Sequence, residues 1–251
     1  ARQIQAARGN PDRQLLVSRW KSYHGLTMGA LAAAGRTSFR LPFYPMLRDA
    51  VHIPPPYCLR CSYGLAYPAC RLRCALALDE TIQNLGPSAV SAFIGETVGG
   101  ASIAVCPPPE GYWPLVREIC DRHRVLLILD EVMCGMGRTG KWFAAEHYNV
   151  VPDIMVLGKG LSGGTLALSA VATSSDHMET VRRGAGDFAH GGTFSHNGIA
   201  CAAGLAAVKI LEREALVERA AQVGRRIGLE PGGDRGVVGR LPGSRVQGFE
   251  G

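Results

Sequence analysis

Two residues of the 251-residue chain follow apolar runs that read as strands, and their types suggest covalent chemistry. Asp130 comes directly after Leu126-Leu127-Ile128-Leu129, and Lys159 comes after the run Ile154 to Leu157, inside Gly158-Lys159-Gly160. The separation of 29 residues (159 − 130) is enough for one crossover, so both side chains can reach one crevice. A lysine amine placed there can attack a carbonyl carbon. The pair suits pyridoxal chemistry. The amine condenses with the aldehyde, and the carboxylate keeps the pyridine nitrogen protonated so that the ring can accept carbanion charge. The glycines beside Lys159 remove side-chain bulk and would let a planar ring approach. Spacing alone is equally compatible with an ordinary strand-end aspartate and a surface lysine.

The elements that must position this pair are legible in the apolar pattern. Val90 to Ile94, Val125 to Leu129 and Ile154 to Leu157 read as buried strands, with a further strand over Ala167 to Ala172. Leu15 to Arg19 is a short apolar run, and Ala1 to Asp12 reads as a helix end and a turn. Helical patterns cover Gly29 to Ala34, Cys74 to Asn84, Gly111 to Arg122 and Gly198 to Ala220. Leu41 to Tyr67, rich in Pro, aromatic residues and Cys, reads as an irregular surface excursion. Strands alternating with helices predict an α/β fold, a mainly parallel sheet sandwiched by helices, with chemistry at the strands' carboxyl ends. The expected organisation is a large domain over 1–205 that is incomplete at its N-terminal side. A helix over 206–227 leads towards a missing C-terminal small domain, and a Gly-, Arg- and Pro-rich tail over 228–251 reads as disordered.

The formal charge of +6 comes mostly from scattered arginines. The densest group, Arg71 and Arg73, has no long basic run around it, which argues against nucleic acid as a partner. No apolar run approaches the roughly 20 residues that cross a bilayer, so no membrane partner and a cytoplasmic location are expected. Cys106, Cys120, Cys134 and Cys201 lie in apolar segments and read as small buried hydrophobes. The other four cysteines, Cys58, Cys61, Cys70 and Cys74, crowd into the excursion. Their spacing is compatible with a structural zinc site, and equally with free thiols in an insertion. No pattern for a catalytic metal accompanies them.

The context of Asp130 and Lys159 adds a resemblance. The run LLILDEVMCGMGRTGKWFAAEHYNVVPDIMVLGKGLSGG, Leu126 to Gly164, is similar to the signature of the class III pyridoxal-phosphate aminotransferases: an apolar strand, Asp-Glu-Val, Gly-Arg-Thr-Gly, Pro-Asp, then Gly-Lys-Gly. The resemblance extends from about Leu15 to Ala220 and implies the large domain of the fold type I pyridoxal-phosphate enzymes, with pyridoxal 5'-phosphate as cofactor. It makes Lys159 the Schiff-base lysine and Asp130 the partner of the pyridine nitrogen. Val132 would pack on one ring face, and Tyr23, in Ser22-Tyr23-His24-Gly25, would stack on the other. Thr193, in Gly191-Gly192-Thr193-Phe194-Ser195, matches the threonine that reaches the cofactor phosphate from a neighbouring subunit, which implies a homodimer. Glu96 matches the glutamate of a Glu-Pro motif near the substrate, although Thr97 replaces the proline here. Arg138 and Thr139 are expected to be structural. Met133 stands where some relatives place a glutamine. The upstream Gly-Ser-Glu/Asp-Ala phosphate loop is not in this sequence.

The resemblance implies transfer of an amino group from an amine or ω-amino acid donor to an oxo acid. Two alternatives stay open at this stage: a truncated, inactive cofactor-binding remnant, and a related aminomutase or decarboxylase.

Overall fold

A computed structural model describes residues 1–48 and 50–227 of the chain. From the N-terminus run α1 (Arg2–Ala7), β1 (Leu15–Arg19), α2 (Met28–Ala33), α3 (Thr37–Arg40) and β2 (Val51–Ile53). Then come α4 (Arg73–Leu85), β3 (Val90–Glu96), α5 (Tyr112–His123), β4 (Leu126–Asp130), β5 (Ile154–Leu157) and β6 (Ala170–Thr173). The described chain ends with α6 (Ser175–Ala185), α7 (Gly198–Arg213) and α8 (Leu216–Ile227).

The strands form one sheet in the order β2-β1-β3-β4-β5-β6. Every neighbouring pair is parallel except β5 and β6. The central strands β3 and β4 are mainly apolar and buried almost throughout because both faces are covered, as a parallel sheet requires. Leu127 and Leu129 of β4 and Phe93 of β3 point into one core with Leu78 and Ile82 of α4 and Trp113, Val116 and Ile119 of α5. Their alternates Leu126, Ile128 and Ala92 point into a second core with Ile4 of α1 and Val181 of α6. The period of two along each strand therefore produces two cores on opposite faces.

Helix α5 shows how local chemistry sets an element. Its buried residues Tyr112, Trp113, Val116, Ile119 and Cys120 repeat at helical spacing, and Gly111 enters the helix at φ +78. Helix α4 ends at Gly86, whose φ of +84 no ordinary side chain favours.

Several boundaries differ from expectation. Within the excursion a three-residue strand, β2, pairs with β1, where its brevity and the prolines after it hid it. The last strand begins at Ala170 rather than Ala167 and is an antiparallel edge. The single helix expected over Gly198 to Ala220 is two helices, broken where Ala215 takes φ +48. Helix α6 has a Ser174 cap whose hydroxyl accepts from His177 N–H, and it was not foreseen. The expected disordered tail, 228–251, lies outside the described residues.

Candidate active site

Parallel strands deliver their C-terminal residues to one sheet edge, and the register shows which. Glu96 at the end of β3 is the Cα partner of Asp130 at the end of β4, and Asp130 is the partner of Val156 on β5. Lys159 follows β5 after Gly158 and opens a 3-10 turn, Lys159–Ser162. A cleft of about 380 Å3 at this edge is lined by Tyr23, His24, Arg36, Phe39, Glu96 and Asp130, and by Val132, Met133 and Lys159. That volume is in the range of small-molecule sites, roughly 300–1,000 Å3.

The Asp130 carboxylate is buried and held at both oxygens. His24 donates from Nδ1 to Oδ2 at 2.8 Å, and the Val132 N–H donates to Oδ1 at 3.0 Å. An ionised carboxylate has about four lone-pair sites, so two bonds leave it able to accept more. The Nε2 atom of His24 is buried and has no partner among the described residues.

Lys159 has φ +42, a left-handed conformation that an ordinary side chain occupies at a cost of about 1–2 kcal/mol. Strain of this kind collects at functional sites. A Cβ at residue 160 would lie 3.1 Å from Met136 Cβ, and one at residue 158 would lie 3.5 Å from Val132 Cγ1. Gly160 is thus needed for close packing of the turn, and Gly158 sits beside the valine that lines the cleft.

Glu96 is 3% exposed and accepts from Gly100 N–H at 3.2 Å. Burial pushes its carboxyl above the ordinary value, and Arg19 nearby offsets this only in part. Tyr23 reaches the cleft and meets Phe39 edge-on, with ring centroids 6.1 Å apart. Arg36 stacks over the Phe39 ring at 4.1 Å. Met133 lines the cleft from the segment after β4.

Five of the six candidate residues therefore converge: Lys159, Asp130, Tyr23, Glu96 and Val132. Thr193 does not. It is exposed on the segment between α6 and α7 and is not among the residues lining this chain's cleft. The Thr139 hydroxyl lies 3.1 Å from His147 Nε2.

Sequence reasoning missed three groups. His24 was visible beside Tyr23, but nothing in its spacing pointed to Asp130, 106 residues away. Arg36 and Phe39 enter the cleft only because the chain folds back after α2. Glu131, 1% exposed, accepts from the N–H groups of Ala144 at 3.0 Å and Ala145 at 2.9 Å. It ties the segment after β4 in place beside Asp130.

The cysteines also depart from expectation. Cys120 and Cys134 are buried, but Cys106 is half-buried and Cys201 exposed. No group of three or more His, Cys, Asp or Glu residues is arranged to hold a metal ion among the described residues. No described helix is long and apolar enough to cross a membrane.

The family model described as aminotransferase class III matches residues 1–239, extending on both sides of the Leu15 to Ala220 span. An uncharacterized aminotransferase of Bacillus subtilis is 38% identical over 175 residues, covering 70% of this chain and 39% of its own length. A putrescine–pyruvate aminotransferase of Pseudomonas aeruginosa is 34% identical over 186 residues, covering 74% of this chain and 40% of its own length. The chain thus spans well under half the length of these curated relatives. Among solved structures, an (S)-enantioselective omega-transaminase from Thermomicrobium roseum superposes with a TM-score of 0.85 at 38% identity, covering 90% of this chain and 50% of that one. An amine transaminase from an uncultivated Pseudomonas species, solved in its PLP-bound form, gives 0.86 at 35% identity, covering 90% of this chain and 52% of that one.

Proposed function

The chain belongs to the class III aminotransferase family, and on that premise we propose that it forms the cofactor-binding part of a pyridoxal-phosphate-dependent aminotransferase. The reaction moves an amino group from an amine or amino-acid donor to an oxo acid. The observation that carries the proposal is the convergence of Lys159, Asp130, Val132 and Tyr23 on one cleft at the carboxyl edge of the sheet.

The residues present fit pyridoxal phosphate. The cleft has room for a small ring, and Asp130 retains acceptor capacity after its two protein hydrogen bonds. Lys159 supplies the amine that would anchor the cofactor aldehyde. When bound, the cofactor would supply an electron sink for a carbanion at the donor carbon.

The remaining chemistry belongs to the protein. Asp130, oriented by His24 and the Val132 N–H, would accept from the ring N–H and favour its protonated form. Val132 and Tyr23, which both line the cleft, would offer apolar surface to the ring faces. Lys159 Nζ, once free, would take the proton from the donor carbon and return it to the carbon of the cofactor aldehyde. The low exposure of Asp130 and Glu96 limits competition from water.

The proposal includes a homodimer, in which Thr193 of the partner subunit contacts the phosphate. Its exposure in this chain leaves it available to a neighbour. A cytoplasmic location is part of the same reading and fits the free thiols.

Incubation with pyridoxal phosphate, borohydride reduction and peptide mapping tests the assignment. Label on Lys159 is expected, and label confined to Lys21, Lys141 or Lys209 would overturn it. Conversion of an amine donor with pyruvate, without release of carbon dioxide, separates amino transfer from decarboxylation.

A further inference from the structure

Outside the cleft, the excursion between β2 and α4 carries a Cys-x-x-Cys pair on a single tight turn. Cys58 opens the 3-10 turn Cys58–Arg60, and Cys61 caps it. Arg60 N–H donates to Tyr57 O at 3.2 Å and Gly64 N–H donates to Cys61 O at 3.0 Å, so the turn is closed on both sides. With about 3 residues per turn and about 2 Å of rise each, positions i and i+3 eclipse at roughly 6 Å between Cα atoms. A disulfide needs about 4.4–6.8 Å between Cα atoms. A 3-10 turn of this geometry therefore brings the Cys58 and Cys61 Cα atoms within the span a disulfide needs.

Accessibility points the same way. Cys58 is exposed, Cys61 is half-buried, and Leu59 between them is 74% exposed. Cys70 is half-buried like Cys61, and burial, with the Cys70 and Cys61 thiols nearby, pushes the Cys58 thiol up. Cys74 packs against the core of α4 and α5, where burial pushes its thiol up to about 11. Tyr63 lies 5.5 Å under the Arg73 guanidinium.

We propose that Cys58 and Cys61 are a reversible dithiol, oxidised to an intramolecular disulfide by exchange with a low-molecular-weight disulfide. The Cys58 thiolate attacks one sulfur of that disulfide and expels the other half as a thiolate. The Cys61 thiolate then attacks Cys58 Sγ, forms the Cys58–Cys61 bond and expels the second half. Protein and reagent exchange two electrons, and the two protons lost by the cysteines end on the released thiols. An exposed, short-loop bridge of this kind belongs with labile disulfides rather than structural ones.

The test uses the full chain and oxidised glutathione at graded ratios to the reduced form, followed by alkylation and peptide mapping. Trypsin cuts after Arg60 and separates the two cysteines, and chymotrypsin cuts between Cys61 and Cys70. A Cys58–Cys61 bridge in most chains, before any other thiol is lost, is the expected result. In C61S, a glutathione adduct on Cys58 should persist that the wild type resolves. A bridge from Cys58 to Cys70 or Cys74 would overturn the proposal. So would unreacted Cys58 and Cys61 at every ratio, or one zinc ion per purified chain that shields all four thiols.

Discussion

The Nδ1–H of His24 donates to Asp130 Oδ2 at 2.8 Å, and the two side chains are 3% and 7% exposed. This bond joins the loop after β1 to the end of β4. With Val132 N–H on the other oxygen, it fixes the carboxylate against rotation before any ligand arrives. Preorganisation of this kind is what a buried charge needs to interact with a ring nitrogen without reorganising.

Replacing His24 should therefore act through Asp130. His24→Ala leaves Oδ2 of a buried carboxylate without its donor, a loss of about 1–3 kcal/mol. Urea unfolding should show that loss, and titration with pyridoxal phosphate should show weaker binding. Asn should rescue more than Ala, because its amide can donate from a similar position. Equal behaviour of the two variants would mean that His24 fills space and does not orient the carboxylate.

Lys159 links strain to function. Its φ of +42 suits glycine, so Lys159→Gly should be more stable than Lys159→Ala by about 1 kcal/mol. Both should lose borohydride labelling. Thermal unfolding of the two variants decides it, and an Ala variant as stable as the Gly variant would remove the strain argument.

The fold and much of the site were legible because their signals are local. The apolar runs before Asp130 and Lys159 encode strands, and strand ends in a parallel sheet carry side chains to one edge. The long run from Leu126 to Gly164 fixed the roles expected of both residues. What could not be read was non-local or too short. β2 has three residues, and only pairing with β1 makes it a strand. The bonds His24 makes to Asp130 and Glu131 makes to Ala144 and Ala145 depend on chain folding that no spacing rule encodes. The cysteine spacing allowed a zinc site, but spacing does not set the direction in which thiols point.

Glu96 sets a pH dependence whose sign follows from its burial. Its folded carboxyl titrates above the ordinary value of 4.5 because desolvation disfavours the charged form. The folded chain thus holds this proton more tightly than the unfolded chain. Its contribution is fully present below 4.5 and is lost as pH rises through the folded value. Glu96→Gln keeps the oxygen that accepts from Gly100 N–H and removes the charge. It should be more stable than the wild type at neutral pH, with the difference shrinking in acid. Urea midpoints of both proteins from pH 4 to pH 8, the roughly neutral-to-acid window of carboxylate linkage, give the comparison. A difference that grows in acid would reverse the sign.

Gly140 joins the turn after β4 to α8. Its φ is +82, and a Cβ there would lie 2.7 Å from Ala221 Cβ and 2.8 Å from Ala221 Cα. Backbone strain and overlap would therefore act together in Gly140→Ala. The left-handed conformation alone costs about 1–2 kcal/mol, and α8 must shift to relieve the contact with Ala221. Gly137 faces Val217 in the same way, with φ +83 and a 2.9 Å approach to Cγ2. A second substitution, Gly137→Ala, should thus show the same pattern. Both variants should unfold at lower temperature, and limited proteolysis should cut within α8 before it cuts the sheet. Ala221→Gly should restore part of the stability of Gly140→Ala by opening space at the contact. If Ala221→Gly gives no restoration, the cost belongs to the backbone of residue 140 alone and α8 is not held by this turn.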